Sequence, residues 1–166
     1  MKGLRVTRKA IIGPWAHKYP HFAVPEPRIG FLRECLRWWD QWLKGAETGV
    51  TKEPDFRYYI MEPYKPGSFP TKIDGRWVGD SFWGFGNGDT RKWSLNSNGI
   101  GPREGEEKAI TINSKQTCGI DGGEYCIIWL GPEFPGDQRR DDEQSIIFET
   151  PALVTDMDIV GQPAVE

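Results

Sequence analysis

Histidine is the residue type best suited to moving protons near neutral pH, and the chain has two, His17 and His21. An imidazole can take a proton from a nucleophile and pass it to a leaving group. His17 stands where such a group is useful. It follows the apolar run Ala10-Ile11-Ile12, which stops at Gly13-Pro14. The triplet suits a strand buried on both faces, and Pro14 has no N–H to give to a ladder. The expectation is a strand that delivers His17 to the rim of a sheet. His21 could be a second base, but a loop histidine among several prolines is read as solvent-facing.

A catalytic histidine needs a nucleophile and an orienting carboxylate. The chain contains no Gly-x-Ser-x-Gly, and Ser68, Ser81, Ser94, Ser97, Ser114 and Ser145 all lie in β-rich or loop sequence without a strand–elbow–helix context. Asp40 could orient an imidazole; lying on the helix that follows His17, it is read instead as a surface pairing residue. Trp15 could line a substrate pocket or pack beneath the histidine loop, and both readings stay open.

The element that must position this turn is a helix from Pro27 or Arg28 to about Lys44. Leu32, Cys35, Leu36, Trp39, Trp42 and Leu43 recur at three- and four-residue steps and make one apolar face. Gly45 is a C-cap candidate. Arg37–Asp40 and Asp40–Lys44 have helical pair spacing. Two tryptophans on the apolar face imply a large mating surface. Residues 46–54 read as a linker. Beyond it the texture is strand and turn: Phe56–Met61, Arg76-Trp77, Thr90–Leu95, Lys108–Ile112, Tyr125–Leu130, Ser145–Thr150 and Asp156–Val160 are strand candidates. They are separated by Gly-rich stretches such as Gly84–Gly88, Asn98-Gly99 and Asp121-Gly122-Gly123. Such spacing with no second long helix argues for an antiparallel sandwich.

Composition narrows the class of function. Net charge is −3 with mixed signs, so a nucleic-acid footprint is not expected. No apolar run approaches the roughly 20 residues of a spanning helix. The basic start, Met1 to Lys9, leads into too few apolar residues for a secretory signal, so a cytoplasmic location is the default. Three cysteines, Cys35, Cys118 and Cys126, make an odd, sparse set. Cys118 and Cys126 could oppose each other across a hairpin, but in a reducing compartment they read as small buried residues. Asp137, Asp141, Asp142 and Glu143 could suggest calcium; interleaved with Arg139 and Arg140, they read as a self-paired, solvated loop. No cofactor or metal is expected. Trp77, Phe82, Trp83, Phe85 and Trp93 could form a sugar-stacking platform, and are read first as packing residues. The little sequence ahead of the first strand, and the stop at Pro163-Ala164-Val165-Glu166 inside a strand-like stretch, read as the edges of a fragment.

Taken in order, Ile11-Ile12-Gly13-Pro14-Trp15-Ala16-His17, then Leu36-Arg37-Trp38-Trp39-Asp40-Gln41-Trp42-Leu43-Lys44-Gly45, resemble the end of the catalytic domain of the CocE/NonD family of serine hydrolases, which includes cocaine esterase and X-prolyl dipeptidyl-peptidases. Residues 49–61 resemble the lead-in to that family's C-terminal jelly roll. Pro135–Arg139, Asp141-Asp142, Ser145–Thr150 and Asp156–Gly161 resemble its later strands.

The resemblance implies a mixed fold. Residues 1–48 would be the C-terminal end of an α/β-hydrolase domain, and residues 49–166 an incomplete, galactose-binding-like jelly roll. It implies that His17 is the catalytic histidine, that the serine and aspartate lie in a missing N-terminal catalytic region, and that the fragment alone is inactive. The parent would cleave acyl ester, amide or X-Pro peptide bonds, with no cofactor; a homo-oligomer is left open. The alternative is a β-sandwich binding module for carbohydrate or protein.

Overall fold

A computed structural model of the protein describes residues 5–81, 91–97, 99–122, 133–161 and 163–165. The described chain is a small mixed α/β structure with few helices and two small sheets. The strand candidates Tyr125–Leu130 and the segment Gly84–Gly88 lie outside the described residues, as do Phe82, Trp83, Phe85, Thr90, Asn98, Gly123 and Cys126.

The first sheet has the order β1 (Ala10–Ile12), β2 (Phe56–Met61), β3 (Gly75–Asp80). β1 runs parallel to β2, with Ala10 opposite Phe56 and Ile12 opposite Tyr58. A parallel pair needs a crossover rather than a tight turn, and the chain supplies one that contains helix α1 (Phe31–Leu43). β2 and β3 pair antiparallel, Phe56 opposite Asp80 and Met61 opposite Gly75. This sheet draws strands from both sides of residues 48–49. The second sheet is β4 (Ser94–Asn96) against β5 (Gly99–Gly101), antiparallel. A short helix, α2 (Arg139–Asp142), lies in the later half.

The core sits on the first sheet. Ala23, Val50, Phe56 and Ile73 are buried. Loop 14–29 is stitched to the strand-proximal segment 71–73: Glu26 N–H donates to the Thr71 carbonyl at 3.0 Å and Ile73 N–H to the Glu26 carbonyl at 3.1 Å. Tyr59 Oη donates to the Ile73 carbonyl at 3.1 Å, which ties β2 to the same loop. Tyr58 Oη donates to Asp80 across the β2–β3 pair at 2.9 Å. Burial first, and then this bond to a carboxylate, push the Tyr58 phenol above its ordinary value.

Several expectations are corrected. β1 is not buried on both faces: it is an edge strand with β2 as its neighbour, and Ile12 is 50% exposed. α1 begins at Phe31, later than Pro27 or Arg28, because Ile29 N–H is held by the Pro20 carbonyl at 3.1 Å and Phe31 N–H by the Ile29 carbonyl at 2.8 Å. It ends as expected near Lys44, with Gly45 at φ +67° and Ala46 N–H reaching back to the Asp40 carbonyl at 3.0 Å. Only a glycine adopts that backbone at no steric cost. The apolar face of α1 is present but uncovered: none of its residues is buried.

In the later half, Lys108–Ile112, Ser145–Thr150 and Asp156–Val160 do not form strands. A strand needs a ladder partner as well as propensity. Here Ile110, Ile112, Ile147 and Ile159 are exposed by 47–87%. Glu149 makes one contact of the expected kind, its carbonyl accepting Ile100 N–H at 3.2 Å. The approach is close enough that a Cβ on Gly99, at φ +131°, would lie 2.5 Å from that oxygen. Among the described residues no helix is long and apolar enough to cross a membrane.

Candidate functional site

The turn after β1 is built from its main chain outward. Gly13 leaves room for the Trp15 ring, which a Cβ there would meet at 2.5 Å. Trp15 Nε1 donates to the Pro27 carbonyl at 2.7 Å, and Lys18 N–H donates to the Trp15 carbonyl at 3.1 Å to close the turn. Ala16, between them, has φ +48°, a left-handed conformation rare for a residue with a Cβ. His17 N–H donates to Glu133 Oε2 at 2.9 Å, and Lys18 Nζ to Glu133 Oε1 at 2.8 Å. The Lys18 and Glu133 side chains are 10% and 4% exposed, so this clamp works away from bulk water, where charge pairing is stronger. The turn is thus held by bonds from its neighbours and from the His17 main chain, and His17 itself is exposed.

Trp15 packs beneath the loop. Its ring centroid lies 5.9 Å from Trp77, which in turn meets Tyr59 at 5.2 Å. Trp77 therefore serves packing, as expected, while Phe82, Trp83 and Phe85 lie outside the described residues. Beyond Trp77 is a cavity of about 380 Å³, walled by Ile11, Ile29, Trp77 and Val78, with Glu34 and Arg57 at its polar side.

That polar side belongs to a network the spacing of charges only partly announces. Glu34 accepts from Arg57 at 2.8 Å and from Arg37 at 3.4 Å. Arg37 also bonds Glu53 and the Thr48 carbonyl, the latter at 3.3 Å. The bond to Glu53 raises the Arg37 guanidinium further above its ordinary value. Glu34–Arg37 was readable as an i,i+3 pair; the sequence reading instead paired Arg37 with Asp40. The network ties α1 to β2 and to the segment between them.

The remaining candidates separate from this turn. Asp40 takes the surface role expected of it, pairing with Lys44 Nζ at 2.6 Å. His21 is not solvent-facing. It stacks on Phe31 with centroids 6.0 Å apart and the planes 8° from parallel, and meets Phe22 edge-on at 4.5 Å. Its Nδ1 is buried with no hydrogen-bond partner, which fits packing better than proton transfer. Ser68 contributes its main chain, the carbonyl accepting Phe134 N–H at 3.3 Å. The acidic loop is self-paired only in part: Asp137 pairs with Arg139, while Arg140 reaches out of the loop to Asp121 at 2.6 Å. Asp141, expected in that solvated loop, is instead buried and accepts Asp121 N–H at 2.7 Å. Cys118 is half-buried, its Sγ 3.7 Å from the Asp141 carbonyl. Among the described residues no group of three or more His, Cys, Asp or Glu could hold a metal ion.

Sequence reasoning missed Glu133 altogether. Its partners are more than a hundred positions away in the chain, and no local pattern marks it. Comparison of the chain with protein-family models, with curated proteins and with solved structures gives no match.

Proposed function

We propose that this chain supplies the histidine of a serine hydrolase of the CocE/NonD type, acting on acyl ester, amide or X-Pro peptide bonds. The observation that carries the reading is the His17 turn. Its main chain is held by Trp15, Glu133 and the left-handed Ala16, while His17 remains open to solvent at the end of β1. A non-glycine residue in a sparsely populated conformation next to a histidine is a common sign of a positioned functional group. The motifs Ile11–His17 and Leu36–Gly45 carry the resemblance to that family; for residues 49–166 the likeness to its jelly roll is one of sequence, since Lys108–Ile112, Ser145–Thr150 and Asp156–Val160 form no strands.

In this reading the serine and aspartate come from outside the chain. The serine oxygen attacks the acyl carbon and its proton moves to the His17 imidazole. The imidazolium then donates that proton to the leaving alcohol or amine as the acyl-enzyme forms. Water, deprotonated by the same ring, releases the acid. The aspartate holds the imidazole in the correct tautomer. The chain on its own lacks the nucleophile and is inactive.

The test begins with the coding sequence upstream of Met1, which must encode a Gly-x-Ser-x-Gly elbow followed by an acid. In the protein that includes it, His17→Ala should lower kcat on a short acyl ester and on an X-Pro amide by about 10⁴-fold or more, because triad members act as a unit. Absence of the elbow, or a His17→Ala protein of near-normal rate, overturns the assignment.

A further inference from the structure

The apolar residues of α1 that face solvent are spaced in a particular way. Leu32, Leu36, Trp39 and Leu43 are 63%, 57%, 54% and 75% exposed. Their steps of four, three and four residues form the seam of a helix that packs against another helix, knobs into holes. Arg33 and Asp40 stand beside that seam on one flank, Cys35 and Trp42 on the other.

We infer that the 166-residue chain pairs with a second copy of itself through α1, the two helices lying antiparallel about a two-fold axis. Laid this way, Leu32 meets Leu43 of the other copy and Leu36 meets Trp39, each twice. The same register brings Arg33 opposite Asp40 of the other copy, again twice. On the other flank the large Trp42 faces the small Cys35. A two-fold contact requires one patch to complement itself, and here charge, size and apolar layers do so in a single register. In a parallel pair, Asp40 would face Cys35 and keep only its own Lys44, and Arg33 would meet no opposite charge. The helix is only about 20 Å long, so the dimer is a weak one, with a dissociation constant in the micromolar range. The inference competes with the hydrolase reading for this face, which there would pack on the missing catalytic region, and its test on the 166-residue chain uses neither His17 nor that region.

Sedimentation equilibrium of the chain tests it. A monomer–dimer equilibrium is expected, weakened about tenfold or more by Leu36→Lys. Arg33→Asp and Asp40→Arg should each weaken it roughly two- to fivefold, and the double variant should recover it. Arg33 and Leu36 lie on the outside of the monomer, so the helical circular dichroism of their variants should match the parent; Asp40 is half-buried and paired with Lys44, so Asp40→Arg is read only beside its own circular dichroism and the recovery in the double variant. A chain that stays monomeric at a few hundred micromolar, a dimer indifferent to Leu36→Lys, or a charge swap without recovery overturns the proposal.

Discussion

Residues 5–81 and residues 91–165 differ in how their apolar side chains are used. The first region has a three-stranded sheet, a thirteen-residue helix, an aromatic chain from Trp15 through Trp77 to Tyr59 and a four-member ion network. Among the described residues, those of the apolar core, Ala23, Val50, Phe56 and Ile73, all lie in it. The second region has comparable strand-like composition, yet of its described part only β4 and β5 pair, and Ile110, Ile112, Ile120, Ile147 and Ile159 lie in solvent. The difference teaches that a strand propensity is a property of a surface waiting for a neighbour. Phe56–Met61 has neighbours on both sides; Ser145–Thr150 has no ladder among the described residues and meets β5 through the bond from Ile100.

The sharpest way to break that contrast is to truncate one residue from each region. Phe56 is 2% exposed, and Phe56→Ala removes a buried ring at the point where β1, β2 and β3 meet. A loss of about 3–5 kcal/mol is expected. Ile147 is 49% exposed, and Ile147→Ala should cost less than about 1 kcal/mol. Urea denaturation of the two variants compares them directly. Equal losses would mean that the later region has a core of its own and that the contrast is wrong.

A smaller effect is expected where the two regions touch. Glu133 reaches from the later half to clamp Lys18 and the His17 main chain. Glu133→Gln keeps an oxygen for His17 N–H but leaves the Lys18 ammonium, 10% exposed, without its counter-charge. Removing one partner of a nearly buried pair should cost up to about 3 kcal/mol. Amide hydrogen exchange at His17 and Lys18 should accelerate, with little change at the β2–β3 ladder. Unchanged exchange at the turn would show that the first region holds the histidine without help from the second.

How much of this could be read from residues alone follows from the range of each interaction. The helix was legible because its period repeats within thirteen residues, and β2 because its run is long and aromatic. Gly13-Pro14 marked the end of β1, so the place of His17 was legible too. The parallel pairing of β1 with β2 was not, since nothing local states which strand a three-residue run will join. Ala16's backbone and the Glu133 clamp were equally hidden: one follows from how Trp15 folds over Gly13, the other from contacts across 116 positions. Lys108–Ile112, Ser145–Thr150 and Asp156–Val160 were over-read because periodicity reports what a segment can do, and among the described residues no strand pairs with them.

The smallest effect lies wholly within the second region and asks whether its local charge chemistry persists where none of the described apolar side chains is buried. Asp137 accepts from the Arg139 side chain and from its main-chain N–H, and these bonds lower its carboxyl from 3.8 to about 2. A group whose pKa is depressed in the folded state stabilises that state above its unfolded value and loses the contribution as pH falls. The contribution is therefore complete above about pH 4 and fades between there and about pH 2. Asp137 lies in open solvent, where salt screens the charge and side-chain entropy opposes the pairing, so global stability should hardly register it. The carboxyl resonance should register it clearly. An NMR titration should place the Asp137 midpoint near 2, and Arg139→Gln should return it toward 3.8 while leaving the first region's spectrum unchanged. A midpoint already near 3.8 in the parent chain would mean that the Asp137–Arg139 turn does not persist in water; the described part of the later region would then lack even the short-range order that distinguishes a loosely packed but folded segment from an unfolded one.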